Sequence, residues 1–306
     1  GLSNNFYQMW VAVALFGIGG PLISVGVPKA SSLWKSQKKR TISMGILFTG
    51  PMFGGIVSLS TMNSILMPLL NSNWKLVYFF YSLIPFISGL IWLIIINNKP
   101  ILNIQKDAIL NISRSISEFK LIITKKRFLI ILILGTSAMF LVHGVPGWIP
   151  KILFSKGISI GLASLLATIP IVIGIISALT VPRFTNNDTR IKILALLFIN
   201  AAFSLLLLQS NNLIIFIIGL FFLGMSTGSL IAIILNHLSE TKDISYNNIG
   251  IAGGLFFSII EIGGVLGPFF IGLIYDLYSN FNIALSLYAL LMFIMIFPLY
   301  ILKNKI

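Results

Sequence analysis

Residues 249–276 read IGIAGGLFFSIIEIGGVLGPFFIGLIYD. Between Ile249 and Ile274 a single charged side chain, Glu261, interrupts residues that are apolar on every face of a helix. About 20 apolar residues carry a helix across a bilayer core, and a helix that is apolar all round belongs in lipid or a deep core. Eight further stretches read the same way: Phe6–Val27, Ile42–Met67, Trp74–Ile96, Phe128–Ile149, Ile158–Pro182, Ile191–Leu208, Leu213–Leu235 and Ile283–Leu302. No alternation of apolar and polar residues supports a β-barrel. The fold expected is all-α and polytopic, with nine transmembrane helices.

Composition agrees. Of 306 residues, 57% are hydrophobic and 9% charged, where an ordinary soluble domain has roughly a quarter charged. The mean hydropathy is +1.01. A water-soluble enzyme and a DNA-binding domain are excluded. The net charge of +14 forms no basic face. Eighteen basic residues fall in alternate connections and at the C-terminus, and only Lys75, Lys151 and Lys156 fall on the other side. The positive-inside rule then makes the odd-numbered connections and the C-terminus cytoplasmic and the first residues external. The chain has no cysteine, so thiolate chemistry and disulfides are absent.

The third connection, Asn97 to Arg127, is the longest and separates three spans from six. Within it Ile109, Ile112, Ile116 and Phe119 recur at helical spacing over Asn103–Thr124. That pattern suits either a helix lying on the cytoplasmic surface or a solvated linker.

Particular residues in three spans carry a resemblance. The first has Gly17, Gly19, Gly20, Pro21, Gly26 and Pro28, then Leu33-Trp34 and a basic run. The second has Gly45 and then Gly50-Pro51-Met52-Phe53-Gly54-Gly55. The eighth has Gly253-Gly254, Gly263-Gly264, Gly267-Pro268, Gly272 and Asp276. Together with the three-plus-six arrangement, these resemble helices four, five and eleven of the major facilitator superfamily, whose twelve helices form two six-helix halves. Gly50-Pro51 and Gly267-Pro268 stand at corresponding places, as internal repeats in such carriers require. The resemblance implies that residues 1–97 are the last three helices of the first half, 98–127 an inter-domain loop, and 128–306 the complete second half. It also implies an N-terminally truncated carrier, and a first residue that is Gly rather than Met agrees. The runs His143-Gly144-Val145-Pro146-Gly147-Trp148-Ile149-Pro150 and Val181-Pro182-Arg183 resemble the cyanate-permease-type branch. Val11–Phe16 lacks the arginine often found in the fourth helix, which argues against proton-coupled drug antiport.

Glu261 is the one acid in mid-span, where insertion costs ~2.5–3.5 kcal/mol and function is the default explanation. Gly254, Phe257, Ser258, Gly264, Val265 and Pro268 share its face. A hydrogen-bonded packing role is the alternative. His143, near the outer end of the fourth span, is a second coupling candidate because imidazole titrates near neutrality; a neutral packing histidine is the alternative. Trp148, Ser258 and Thr227 complete the pathway candidates, although aromatic-belt anchoring also explains Trp148, Trp10 and Trp34. His237 is expected to be solvated. Gly50, Pro51, Gly54, Gly55, Gly263, Gly264, Gly267 and Pro268 are expected to serve close packing and hinging. No metal-ligand spacing, phosphate loop or Ser/His/Asp set occurs.

The expected function is a secondary transporter, not an enzyme, moving a small solute by alternating access on a proton or solute gradient. Its partners are that solute and the bilayer, with no cofactor, metal or nucleic acid, as a monomer in the plasma membrane. The alternatives are a non-catalytic membrane subunit of a larger complex and a multi-span membrane enzyme.

Overall fold

A computed structural model describes residues 2–32, 50–97, 122–186, 188–239 and 249–304, with no strand among them. The helices are α1 (Phe6–Ser32), α2 (Gly50–Leu69), α3 (Trp74–Asn97), α4 (Lys126–Ser155), α5 (Ile160–Phe184), α6 (Arg190–Leu207), α7 (Leu213–Ser239), α8 (Ile249–Tyr278) and α9 (Phe281–Lys303). Helices α2 to α9 are long and apolar enough to cross a membrane, and α1 runs for 27 residues. Trp34, Gly45, the first basic connection and all but the last three residues of the Asn103–Thr124 segment lie outside the described residues.

Proline shapes several helices, because it cannot donate to the i−4 carbonyl. Helix α4 tightens to a 3-10 turn at Pro146–Trp148 and resumes at Ile149, with Pro150 in its first turn. Helix α5 restarts at Ile169 with Pro170 in its first turn, and it closes in a 3-10 turn containing Pro182. Helix α2 widens into a π-turn over Met62–Leu66 just ahead of Pro68.

The chain divides into two compact units, Gly1–Asp107 and Ala108–Ile306. In the first, α2 and α3 pair through the Thr61 and Tyr81 hydroxyls at 2.7 Å. Lys75 Nζ donates to Asn4 Oδ1 at 2.6 Å. Val77 is the one apolar side chain fully buried there among the described residues.

The second unit has a dense core. Helix α4 packs most heavily on α8, α5 on α7, and α6 lies between α7 and α9. Phe128, Phe198, Phe216, Phe256 and Tyr288 are fully buried, whereas Leu196, Phe203, Ile214, Val265, Phe269 and Phe297 point outward. In lipid, outward apolar residues carry no penalty, and helices associate through close van der Waals fit and hydrogen bonds.

Glycine sets that fit. A Cβ on Gly263 would run into the Thr136 carbonyl oxygen, and one on Gly267 into the Phe140 carbonyl oxygen. Across the second seam, a Cβ on Gly228 would meet the Gly174 carbonyl oxygen, and one on Gly224 would lie 2.6 Å from the Pro170 carbonyl oxygen. Each seam uses two glycines four apart, one helical turn, so α8 rests on α4 and α7 on α5 backbone to backbone. Polar side chains reinforce the second seam. Ser229 and Ser177 share a hydrogen bond, and the Ser177 hydroxyl donates to the Met225 carbonyl at 2.7 Å. Asn200 Nδ2 ties α6 to α7 by donating to the Phe222 carbonyl and to Ser226 Oγ, both at 2.7 Å.

The helix directions gather Lys126, Arg127, Arg183, Arg190, Lys192 and Lys303 at one end of this unit and Lys151 and Lys156 at the other.

Candidate functional site

Helix α8 carries Glu261 one turn before Gly264, so its carboxyl lies along the helix over that glycine. Oε2 sits 2.8 Å from where a Gly264 Cβ would stand. From α4, the His143 imidazole approaches the same point, with Cδ2 at 3.3 Å. Both side chains are solvent-exposed in the isolated chain. The fold thus brings the acid and the imidazole, 118 positions apart in sequence, to one spot in the middle of a membrane-length helix pair.

The backbone at the same turn has an acceptor of its own. Residue 268 is proline inside α8, so the Gly264 carbonyl lacks its helical donor. The carboxyl and the imidazole are the two groups here that can take up and release a proton. The close approach depends on glycine at 264, since a side chain there would push both groups away.

The other candidates separate from this cluster. Trp148 Nε1 donates to the Pro268 carbonyl at 3.1 Å, and its ring lies 3.1 Å from a Cβ on Gly272. That fastens the break in α4 to the proline of α8, so the indole binds two helices together. The Ser258 hydroxyl donates to the Gly254 carbonyl at 2.9 Å. The Thr227 hydroxyl donates to the Leu223 carbonyl at 3.0 Å. Both are turned onto their own helices.

Of the packing glycines, Gly263 and Gly267 press on α4 as described, whereas no described atom lies within 4 Å of a Cβ on Gly50 or Gly54. His237 is half-buried at the basic end of α7, and its Nδ1 lies 3.5 Å from an Arg190 guanidinium nitrogen. The expectation of a solvated histidine is therefore corrected: α6 and α7 pack tightly enough at their ends to bring the two residues together.

Several residues escaped the sequence reading. Gly224 and Gly228, spaced as Gly-x-x-x-Gly, form the α5–α7 seam, and that spacing was the available signal. Tyr288 is fully buried. Its hydroxyl donates to the Gly267 carbonyl at 2.6 Å, and its ring stacks on Phe140 at 4.5 Å. No sequence pattern pointed to that. Among the described residues no group of three or more His, Asp or Glu side chains is placed to hold a metal ion.

Long apolar helices locked by glycine, with an acid and an imidazole brought together midway along two of them, are what the described residues present. The family model described as Major Facilitator Superfamily matches residues 1–244, and the chain belongs to that superfamily. It is an integral membrane protein and a non-enzymatic transporter. It is similar to a hexuronate transporter of Bacillus subtilis (strain 168), with 22% identity over 297 residues, covering 92% of this chain and 69% of that relative. The narrower cyanate-permease-type resemblance is carried by neither match.

Proposed function

We propose that the protein is a secondary active transporter that moves a small organic solute by alternating access and is driven by a proton or solute gradient. Residues 1–97 act as the last three helices of the first half of the fold, 98–127 as the inter-domain loop and 128–306 as the second half. The protein works as a monomer in the plasma membrane, with its C-terminus cytoplasmic and no nucleic-acid partner. The asymmetry of basic residues supports that orientation, and the cargo for which the relative is named supports a small hydrophilic organic solute.

The observation that carries the coupling role is the convergence of Glu261 and His143 on Gly264. An acid in the middle of a membrane-length helix is costly to place there, and an acid beside an imidazole is a pair able to exchange a proton, which is what coupling needs. The test is Glu261→Gln in proteoliposomes, with uptake of a panel of labelled sugars and sugar acids measured under an imposed proton gradient. The variant should insert normally, lose gradient-driven accumulation and keep solute exchange. Accumulation equal to the unaltered protein, with the same pH dependence, would leave Glu261 a packing residue.

A further inference from the structure

At the end of the second unit away from its basic cluster, α4, α8 and α9 and the turn before α7 border a partly open pocket of about 210 Å³. It is separate from the Glu261 site, and its walls are polar for a membrane protein. Ser155, Lys156, Asn211, Asn280 and Asn282 line it beside Tyr275. No carboxylate is among the described residues that line it. The nearest acid along the chain is Asp276, exposed and one residue beyond Tyr275.

The lysine is fixed. Lys156 Nζ donates to the Gln209 carbonyl at 2.9 Å and to Asn211 Oδ1 at 3.0 Å. An ammonium has three donors, so one is left for a ligand. A second cation stands close by, with Lys151 Nζ 4.7 Å from the centre of the Tyr275 ring. Tyr275 itself stacks on Phe281 at 4.1 Å and 19°, so the ring is held rigid between that neighbour and the Lys151 ammonium. Asn280 is held by accepting the Asn282 amide at 2.8 Å.

Each part matches a different part of one ligand type. A fixed ammonium binds a carboxylate through a charge-assisted hydrogen bond. Amide side chains exchange hydrogen bonds with hydroxyls, having donors and acceptors together. The Tyr275 ring, covered by Phe281 and by Lys151, is a rigid wall that bounds the occupant by its edge. The volume lies below the usual range for drug-sized ligands, which limits the occupant to a small molecule.

We infer that this pocket is an outer docking site for a small hydroxylated carboxylate, with Lys156 as its anion contact and the asparagines as its hydroxyl contacts. Its outer location rests on the orientation proposed above. There it would concentrate an anionic solute at the mouth before transport.

The chain has no cysteine, so the pocket can be probed with one. Ser279 lines it and is exposed. In Ser279→Cys, in right-side-out vesicles, an impermeant maleimide should label the protein. D-glucuronate should slow that labelling and D-glucose should not. Adding Lys156→Gln should raise the glucuronate concentration needed for protection by about tenfold, as loss of a charged hydrogen bond does, and Lys156→Arg should retain protection. Ser159→Cys, on the same end but outside the pocket, should show no protection.

Three results with correct-sided labelling would overturn the pocket and leave the transporter reading intact: no slowing by glucuronate, equal slowing by glucose, or undiminished protection in Lys156→Gln. Equal slowing at Ser159→Cys would overturn it too, by assigning protection to a global change. Labelling only from the opposite face would overturn the proposed orientation together with the docking site.

Discussion

Trp148 Nε1 donates to the Pro268 carbonyl at 3.1 Å, so the interruption of one helix is fastened to the proline of its neighbour. Both places have weakened helical hydrogen bonding, and the indole joins them. Replacing the indole by the smaller phenyl ring removes the bond and the part of the ring that lies against Gly272. Trp148→Phe should fold and lose about 1–3 kcal/mol, the net value of one hydrogen bond plus a packing loss, read as a lowered unfolding midpoint in detergent.

Adjacent glycines in α8 should give opposite phenotypes. A Cβ on Gly263 meets the Thr136 backbone oxygen, which cannot step aside, whereas a Cβ on Gly264 meets the movable ends of Glu261 and His143. Gly263→Ala should destabilise the protein by about 1–3 kcal/mol, as overpacking does. Gly264→Ala should keep its unfolding midpoint and lose gradient-driven accumulation. Equal melting of the two variants would count against the described fit.

The α5–α7 seam makes a similar demand. Gly228→Ala places a methyl group against the Gly174 carbonyl. It should lower the unfolding midpoint as Gly263→Ala does. The two seams share no glycine, so the losses in the double variant should add.

Sidedness can be read from two exposed positions. Asp188 lies in the turn before α6, beside Arg183, Arg190 and Lys192, and Ser159 precedes α5 on the other end. Asp188→Cys and Ser159→Cys should be labelled from opposite faces by an impermeant thiol reagent. Labelling from one face would break the alternation of spans between them.

The pocket lysine should show itself in alkali. Burial pulls the Lys156 ammonium below its ordinary 10.5, because desolvation disfavours the charged form. The charge, and glucuronate protection with it, is therefore present below the lowered value and is lost as pH rises through it. The Lys156→Arg variant stays protonated across that range and should move the loss to higher pH. Coincident alkaline profiles for the variant and the unaltered protein would remove the lysine from the anion contact.

The span pattern was legible because the bilayer imposes length and apolarity directly on sequence. Ile249–Ile274 and Leu213–Leu235 were found from those two demands, and in the structure their helices run on to Tyr278 and Ser239. The extra turns are amphiphilic ends that no apolar count includes. Glu261 was legible for the same reason, since a charge is conspicuous in lipid. Its meeting with His143 was not, because α4 and α8 are brought together by backbone contacts at Thr136 and Phe140, and a carbonyl oxygen leaves no trace in sequence. His237 was misjudged because the Arg190 beside it belongs to another helix. The outer pocket was missed because its asparagines stand in short turns, each of which reads alone as an ordinary cap.

The contacts at Gly263 and Gly267 also fix the register of α8 on α4. A helix repeats about every 5.4 Å, so the next lengthwise position would set Ile259 or Ile271 against the carbonyls of Thr136 and Phe140. Neither has room there. Slippage by one notch is thus barred in both directions, and any working stroke of this unit must carry α4 and α8 as one welded strut, with the backbone positions of Glu261 and His143 held in step while their side chains turn.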